Sequence, residues 1–189
     1  MIAGPSGVGK GTVVRRVLEL VPNLYRSISA TTRQPRSVEH PGVDYLFVSG
    51  PAFEQMIAEG ELLEWAEVFG NRYGTPVEAI RRELSAGRDA LLEIDVQGAR
   101  QIRDAMPDAV LVLLEPPSLA ELERRLRTRG TEDEARLRMR LAEAERELGQ
   151  RTWLDHAVVN DELERASAQV AAIILSSQRA GSDGPEETP

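Results

Sequence analysis

Gly4-Pro5-Ser6-Gly7-Val8-Gly9-Lys10-Gly11-Thr12 is the stretch that decides the fold of this chain. Its spacing is G-x-x-x-x-G-K, with a short apolar run (Ile2-Ala3) before it and a helical pattern after it. The glycines permit backbone angles that turn several N–H groups into one concavity, and the helix N-terminus behind them adds positive potential. That is a cradle for phosphate, in which Lys10 would bridge the β- and γ-phosphates of a nucleotide. Of 23 basic residues, 22 are arginine, and Lys10 is the single lysine. A compact ammonium inserts among phosphate oxygens where a planar guanidinium fits differently. The residue after Lys10 is Gly11, where many such loops place the Ser or Thr that touches Mg2+, and Thr12 comes one position late. The pattern therefore implies Mg2+ held mainly by phosphates and water.

Outward from the loop, short apolar runs alternate with amphipathic stretches, the pattern of an α/β protein with a parallel sheet flanked by helices. The runs are Ile2-Ala3, Ala90 to Ile94, Ala109 to Leu114 and Ala157-Val158-Val159. Helices are predicted at about Thr12 to Val21, Gln97 to Ala105, Ser118 to Arg129, Glu132 to Leu148 and Glu162 to Ser177. Thr75-Pro76 reads as an N-cap and first helical residue, opening a helix to about Gly87. Residues 25–75 differ, with polar and apolar residues alternating between Gly and Pro punctuation, as in a small, mostly antiparallel insert. Residues 119–151 carry nine arginines and eight acidic residues on helical spacing, consistent with a solvated helix pair. The end of the chain, from Ser176 onward, has the composition of a disordered tail. Only three residues precede Gly4, fewer than a buried strand usually spans, so further residues are expected upstream.

Composition removes several classes of function. The net charge of −8 gives no positive field for general nucleic-acid or anionic-membrane binding. Aromatics are 4% of the chain, too few for a base-stacking platform. There is no cysteine, hence no disulfide, zinc-thiolate site or cysteine nucleophile. No apolar run approaches the ~20 residues of a membrane span, and the expected setting is the cytoplasm. His40 and His156 fall in no chemical pattern.

The second informative stretch runs from Thr31 to Val48. Arg33 and Arg36, three apart around a stiffening proline, can converge on one dianion, and Tyr45 adds a phenol. Here the sequence resembles guanylate kinase, whose signature T-[ST]-R-x-x-[KR]-x-x-[DE]-x-x-G-x-x-Y-x-F is met at every fixed position by Thr31, Thr32, Arg33, Arg36, Glu39, Gly42, Tyr45 and Phe47. The likeness continues through Glu64-Trp65, Asn71-Arg72-Tyr73-Gly74-Thr75, Asp95-Val96-Gln97-Gly98, Arg129-Gly130-Thr131-Glu132 and Val159-Asn160-Asp161, and covers roughly residues 1–178. The resemblance implies that Ser29, Arg33, Arg36, Tyr45 and Tyr73 hold a GMP phosphate and that Glu64, Thr75 and Asp95 meet the guanine. It implies a lid over residues 119–151 whose Arg125, Arg129 and Arg140 close on the phosphates of ATP. The family commonly has Asp where this chain has Glu93, which is left out of the site.

The base chemistry agrees. Guanine offers N1–H and an amine as donors and O6 as an acceptor, so a carboxylate at Glu64 can accept from both while a hydroxyl at Thr75 donates to O6. Adenine would turn an acceptor toward the carboxylate. Taken alone, Glu64 reads as an outward strand residue. Asp95 ends an apolar strand, where it could hold a Mg2+-bound water, meet the guanine amine, or only cap the helix that follows.

The expected organisation is one domain, residues 1–178, with a core of about 1–28, 81–118 and 152–178, a GMP-binding insert of about 29–80, a lid of about 119–151 and a disordered tail at 179–189. The implied reaction is in-line phosphoryl transfer from Mg·ATP to GMP or dGMP, with Lys10, Arg33, Arg129 and Arg140 bearing developing charge and Gly4 to Thr12 with Arg125 binding ATP. ATP and GMP are the expected partners, without nucleic acid or membrane. The competing expectations are a kinase of the same fold acting on another nucleotide, such as AMP, and a non-catalytic module of the same family that binds phosphorylated peptides.

Overall fold

The computed structural model describes residues 1–128 and 134–182, the last four by main chain alone. In chain order the elements are β1 (Ile2–Ala3), α1 (Lys10–Leu20), β2 (Tyr25–Arg26), β3 (Ala30–Thr31), β4 (Leu46–Phe47), α2 (Gly50–Ala58), β5 (Leu62–Val68), β6 (Asn71–Pro76), α3 (Val77–Ser85), β7 (Ala90–Leu91), α4 (Val96–Ala105), β8 (Val112–Glu115), α5 (Leu119–Thr128), α6 (Glu134–Leu148), β9 (His156–Val159) and α7 (Leu163–Ser182). The described chain divides into two compact units. One comprises Asn23–Ala109 and the other joins Ile2–Pro22 to the segment beginning at Val110.

The unit that carries the glycine-rich loop is built on a parallel sheet of order β1-β8-β9, with Ile2 opposite Val112 and Leu113 opposite Ala157. Such strands, covered on both faces, read as continuous apolar runs. Ile2, Ala3, Leu113 and Leu114 are fully buried. β1 has two laddered residues, so the loop leaves the sheet directly at Gly4. Helix α1 turns Val13, Val14 and Val17 inward and packs along α7, where Arg16 reaches Glu164 at 2.8 Å. Leu122 and Leu126 of α5 meet Leu137 and Ala144 of α6 in their own apolar cluster, so the charged segment is amphipathic, with one face buried. Helix α7 runs to Ser182, past the end predicted near Ser177, and takes in the first residues of the expected tail. Residues 183–189 lie outside the described ones.

The other unit has a parallel pair, β2 with β7, and a four-stranded sheet of order β4-β3-β6-β5. Its β3–β6 and β5–β6 ladders are antiparallel, as the alternation implies, whereas β3–β4 is parallel. The unit takes in more than residues 29–80, because β2 pairs with β7 and α4 packs on β5. Two expectations are corrected here. Residues 50–58 form a helix that the sequence reading missed. Ser49 caps α2 through the Ala52 N–H, and Phe53 is fully buried. Thr75 is not a helix cap. It lies in β6 with its hydroxyl engaged across the sheet, and extended Pro76 stands at the N-cap position of α3 without a side-chain cap.

Phe53 is among the largest fully buried side chains. Phe53→Ala should lower the free energy of unfolding by roughly 3–5 kcal/mol in urea melts, and a loss under ~1 kcal/mol would mean that α2 contributes little to this unit's stability.

Candidate functional site

The glycine-rich loop sits where its sequence placed it, between β1 and α1. Gly9, at φ +98°, is the N-cap of α1 and offers no side-chain cap, so the first N–H groups of the helix keep their donor capacity for an anion. A side chain at Gly9 would be strained by that φ and would meet Asn160 Nδ2 at 2.6 Å. Gly4, at φ +145°, has no room for a Cβ against the Leu114 carbonyl of β8. Lys10 folds back so that its ammonium donates to the carbonyl oxygens of Gly4 and Pro5.

Three residues support the loop. Asn160, buried at the end of β9, donates through Nδ2 to the Val8 carbonyl at 2.7 Å. Arg125 of α5 donates to Val8 O at 3.3 Å, to Asn160 O at 2.9 Å and to Glu121 at 2.9 Å. Arg140 of α6 donates to Ser6 Oγ at 3.3 Å. Hydrogen bonds from Arg124 and Arg125 hold the Glu121 carboxyl at about 2, well below the usual carboxylate range. Arg129 lies outside the described residues. Asn160 was missed as a site residue, since its contact with Val8 spans most of the chain.

In the other unit, Arg33 stands between aromatic rings and the Glu39 carboxylate. Its guanidinium stands 5.4 Å from the Tyr45 ring centroid and 5.8 Å from that of Phe47, while Tyr45 and Tyr73 meet edge to face at 6.0 Å. Burial pushes the Tyr45 phenol up to about 12, helped by the negative charge of Glu93. Glu39, unassigned by the sequence reading beyond its place in the signature, accepts from both Arg33 guanidinium nitrogens at 2.8 and 3.0 Å and from the Arg36 N–H at 2.8 Å. Burial alone would raise the Glu39 carboxyl, but these donors outweigh it and hold it below its ordinary value. The Arg36 side chain is mostly exposed, 3.7 Å from Glu39. Ser29 accepts the Leu46 N–H through its carbonyl, which sets it beside β4.

Glu64 does not point outward. It is 5% exposed and shares the inner face of β5 with Ala66. A register shift between Leu62 and Glu64, as at a β-bulge, brings it opposite Thr75 of β6. The Thr75 hydroxyl donates to Glu64 Oε1 at 2.6 Å. Gln101 ties α4 to β5 by accepting from Trp65 N and donating to Trp65 O. Asp95 caps α4, its Oδ1 accepting the Gly98 N–H at 2.7 Å. Burial raises the Glu64 carboxyl to about 7 against the pull of Thr75, and the nearby Asp95 charge adds to the rise. The result is a buried carboxylate paired with a hydroxyl, a match for a ligand edge bearing adjacent donors.

A lysine-bearing phosphate cradle on a parallel α/β sheet defines a nucleotide-binding protein of the phosphate-loop class. The guanylate kinase family model matches residues 1–177, and the chain belongs to that family. It is 51% identical over 170 residues to a guanylate kinase of Synechococcus sp. (strain CC9902), covering 90% of this chain and 91% of the relative. It is 51% identical over 175 residues to one of Streptomyces kasugaensis, covering 93% and 85%. Its fold matches the crystal structure of guanylate kinase from Anaplasma phagocytophilum with a TM-score of 0.79 at 32% identity, over 94% of this chain and 84% of that one.

The raised Glu64 carboxyl has a consequence for stability. Between pH 4.5 and about 7 the native state retains a proton that the unfolded chain has released, so this contribution is present at low pH and is lost as pH rises through that window. The melting temperature of wild type relative to Glu64→Gln should fall from pH 5 to pH 7.5 and then level off. A difference that stays constant with pH would remove burial of this carboxyl as a determinant of stability.

Proposed function

We propose that the chain transfers the γ-phosphoryl group of ATP to GMP, and more weakly to dGMP, yielding ADP and GDP or dGDP in purine nucleotide metabolism and GMP recycling. The observation that carries this reading is the buried Glu64–Thr75 pair, in a chain that also keeps Lys10 and the glycines of its phosphate cradle. Lys10 and the intact loop favour an enzyme over a non-catalytic module.

Glu64 accepts from guanine N1–H and the exocyclic amine, Thr75 faces O6, and Asp95 stands beside Glu64 for the amine. In the structure the single Thr75 proton goes to Glu64, so a hydrogen bond to O6 requires the hydroxyl to rotate. Ser29, Arg33, Arg36, Tyr45 and Tyr73 take the GMP phosphate. Gly4 through Thr12 take the phosphates of ATP, and Arg125 supports the ATP side by fixing Val8. Residues 29–80 form the acceptor insert and 119–151 the lid, on a core of 1–28, 81–118 and 152–178.

The bond that forms joins a GMP phosphate oxygen to the γ-phosphorus, and the bond that breaks joins that phosphorus to the β-bridging oxygen. The attacking oxygen is already ionised, so no general base is needed. Lys10, Arg33, Arg129 and Arg140 offset the charge of the transition state. Among the described residues no three His, Asp or Glu side chains group as a metal cage. Mg2+ would be carried mainly on the nucleotide phosphates and water, with Thr12 and Asp95 the side chains available to it or to its water. Bound there, the cation would neutralise phosphate charge. Among the described residues no helix is long and apolar enough to cross a membrane. We place the reaction in the cytoplasm, without a nucleic-acid or membrane partner.

The deciding experiment is ADP release from Mg·ATP with GMP, dGMP, AMP, CMP and UMP offered separately. Turnover should be confined to GMP and, more weakly, dGMP. Lys10→Ala should lower it by about 10²-fold or more, and Glu64→Gln should cut the GMP/AMP preference by about 10–100-fold. An unchanged preference in Glu64→Gln would end the base-reading assignment.

A further inference from the structure

Gly98 stands in the first turn of α4, three residues after the Asp95 cap. Its main chain is helical and avoids the left-handed region, so no turn requirement accounts for it. Glycine inside a helix is disfavoured relative to alanine. Space accounts for it instead. A Cβ here would collide with Glu64 Oε2, lie 3.0 Å from Glu64 Cδ and lie 3.3 Å from Asp95 Oδ1. Glu64 is poorly placed to yield. Its carboxylate is buried and bound to Thr75 at 2.6 Å, and β5 is anchored to α4 through both polar groups of the Trp65 main chain. The side-chain torsions of Glu64 can turn the carboxylate aside, at the expense of the Thr75 bond and of its position.

We propose that Gly98 is a positioning residue for base recognition. Its missing side chain lets the Glu64 carboxylate lie against the start of α4, and so fixes which purine edge the site accepts, one with two adjacent donors. The proposal rests on the reading that Glu64 meets the base.

Four full-length proteins test it: wild type, Gly98→Ala, Glu64→Ala and the double variant, assayed with Mg·ATP and either GMP or AMP and melted without nucleotide. Gly98→Ala should raise the KM for GMP by about tenfold or more and lower the GMP/AMP ratio, with a much smaller change in kcat at saturating GMP. In the Glu64→Ala background the same substitution should change neither quantity, and it should raise the melting temperature, since alanine then favours the helix and has only Asp95 Oδ1, 3.3 Å away, to accommodate. If Gly98→Ala alone does not fold, the double variant should recover a folded state, and a double variant as unstable as the single one overturns the proposal. An equal loss in both backgrounds, or an unchanged KM in the single variant, also overturns it while leaving the Glu64 reading intact. If Glu64→Ala alone leaves the GMP/AMP ratio unchanged, the base reading falls and the proposal falls with it.

Discussion

Removing a carboxylate from water is unfavourable unless its oxygens are met by donors, and the Glu64 site is arranged around that constraint. The register shift in β5 brings the side chain to the inner face, and Thr75, directly opposite, supplies a hydroxyl. The main chain of α4 can come close because residue 98 has no side chain. The compensation is partial. The hydroxyl and N–H of Thr75 do not match the hydration of a carboxylate, and the raised protonation range is the residue of that deficit. A carboxylate under-supplied with donors by its own protein is suited to accept from a ligand with two donors side by side.

Arg33 shows the opposite solution. Its positive charge stands over aromatic rings and is answered by Glu39, whose two oxygens take both guanidinium nitrogens and the Arg36 main chain. A fork held by a carboxylate of matching geometry is fixed in one orientation. The pair is largely shielded, with side-chain exposures of 16% and 12%, so its interaction is less screened than that of the surface pairs elsewhere in the chain.

The phosphate loop, the parallel strands, most helices and the Thr31 to Phe47 signature were legible in the sequence because each is a local pattern. Glu64 was legible only through its neighbours. In Leu63-Glu64-Trp65-Ala66-Glu67 the charges at 64 and 67 cannot both be outward on a regular strand, and nothing local says that 64 turns inward until the β6 partner is known. Thr75-Pro76 follows a helix-start template that a β-ladder overrode. Helix α2 was hidden because Gly50-Pro51 reads as a turn, although Ser49 before a proline in the first turn was an available signal. Asn160 and Gly98 were quoted within family motifs, but their partners Val8 and Glu64 lie far off along the chain, and only the fold joins them.

The arginine bias then acquires a physical sense. Arg125 meets a carboxylate and two backbone carbonyls at once, which a planar five-donor fork can do from a single position. Arg33 and Arg127 likewise engage more than one acceptor. These are supporting roles, and they reward rigidity. Lys10 is different, since it follows the loop carbonyls of Gly4 and Pro5 on a slim flexible stem with a charge that needs no fixed plane. A guanidinium there would bring more width into a loop whose glycines already border on Leu114 and Asn160. The single lysine of the chain stands where its acceptors are two backbone carbonyls of the loop, which a rotatable ammonium can meet without a fixed plane.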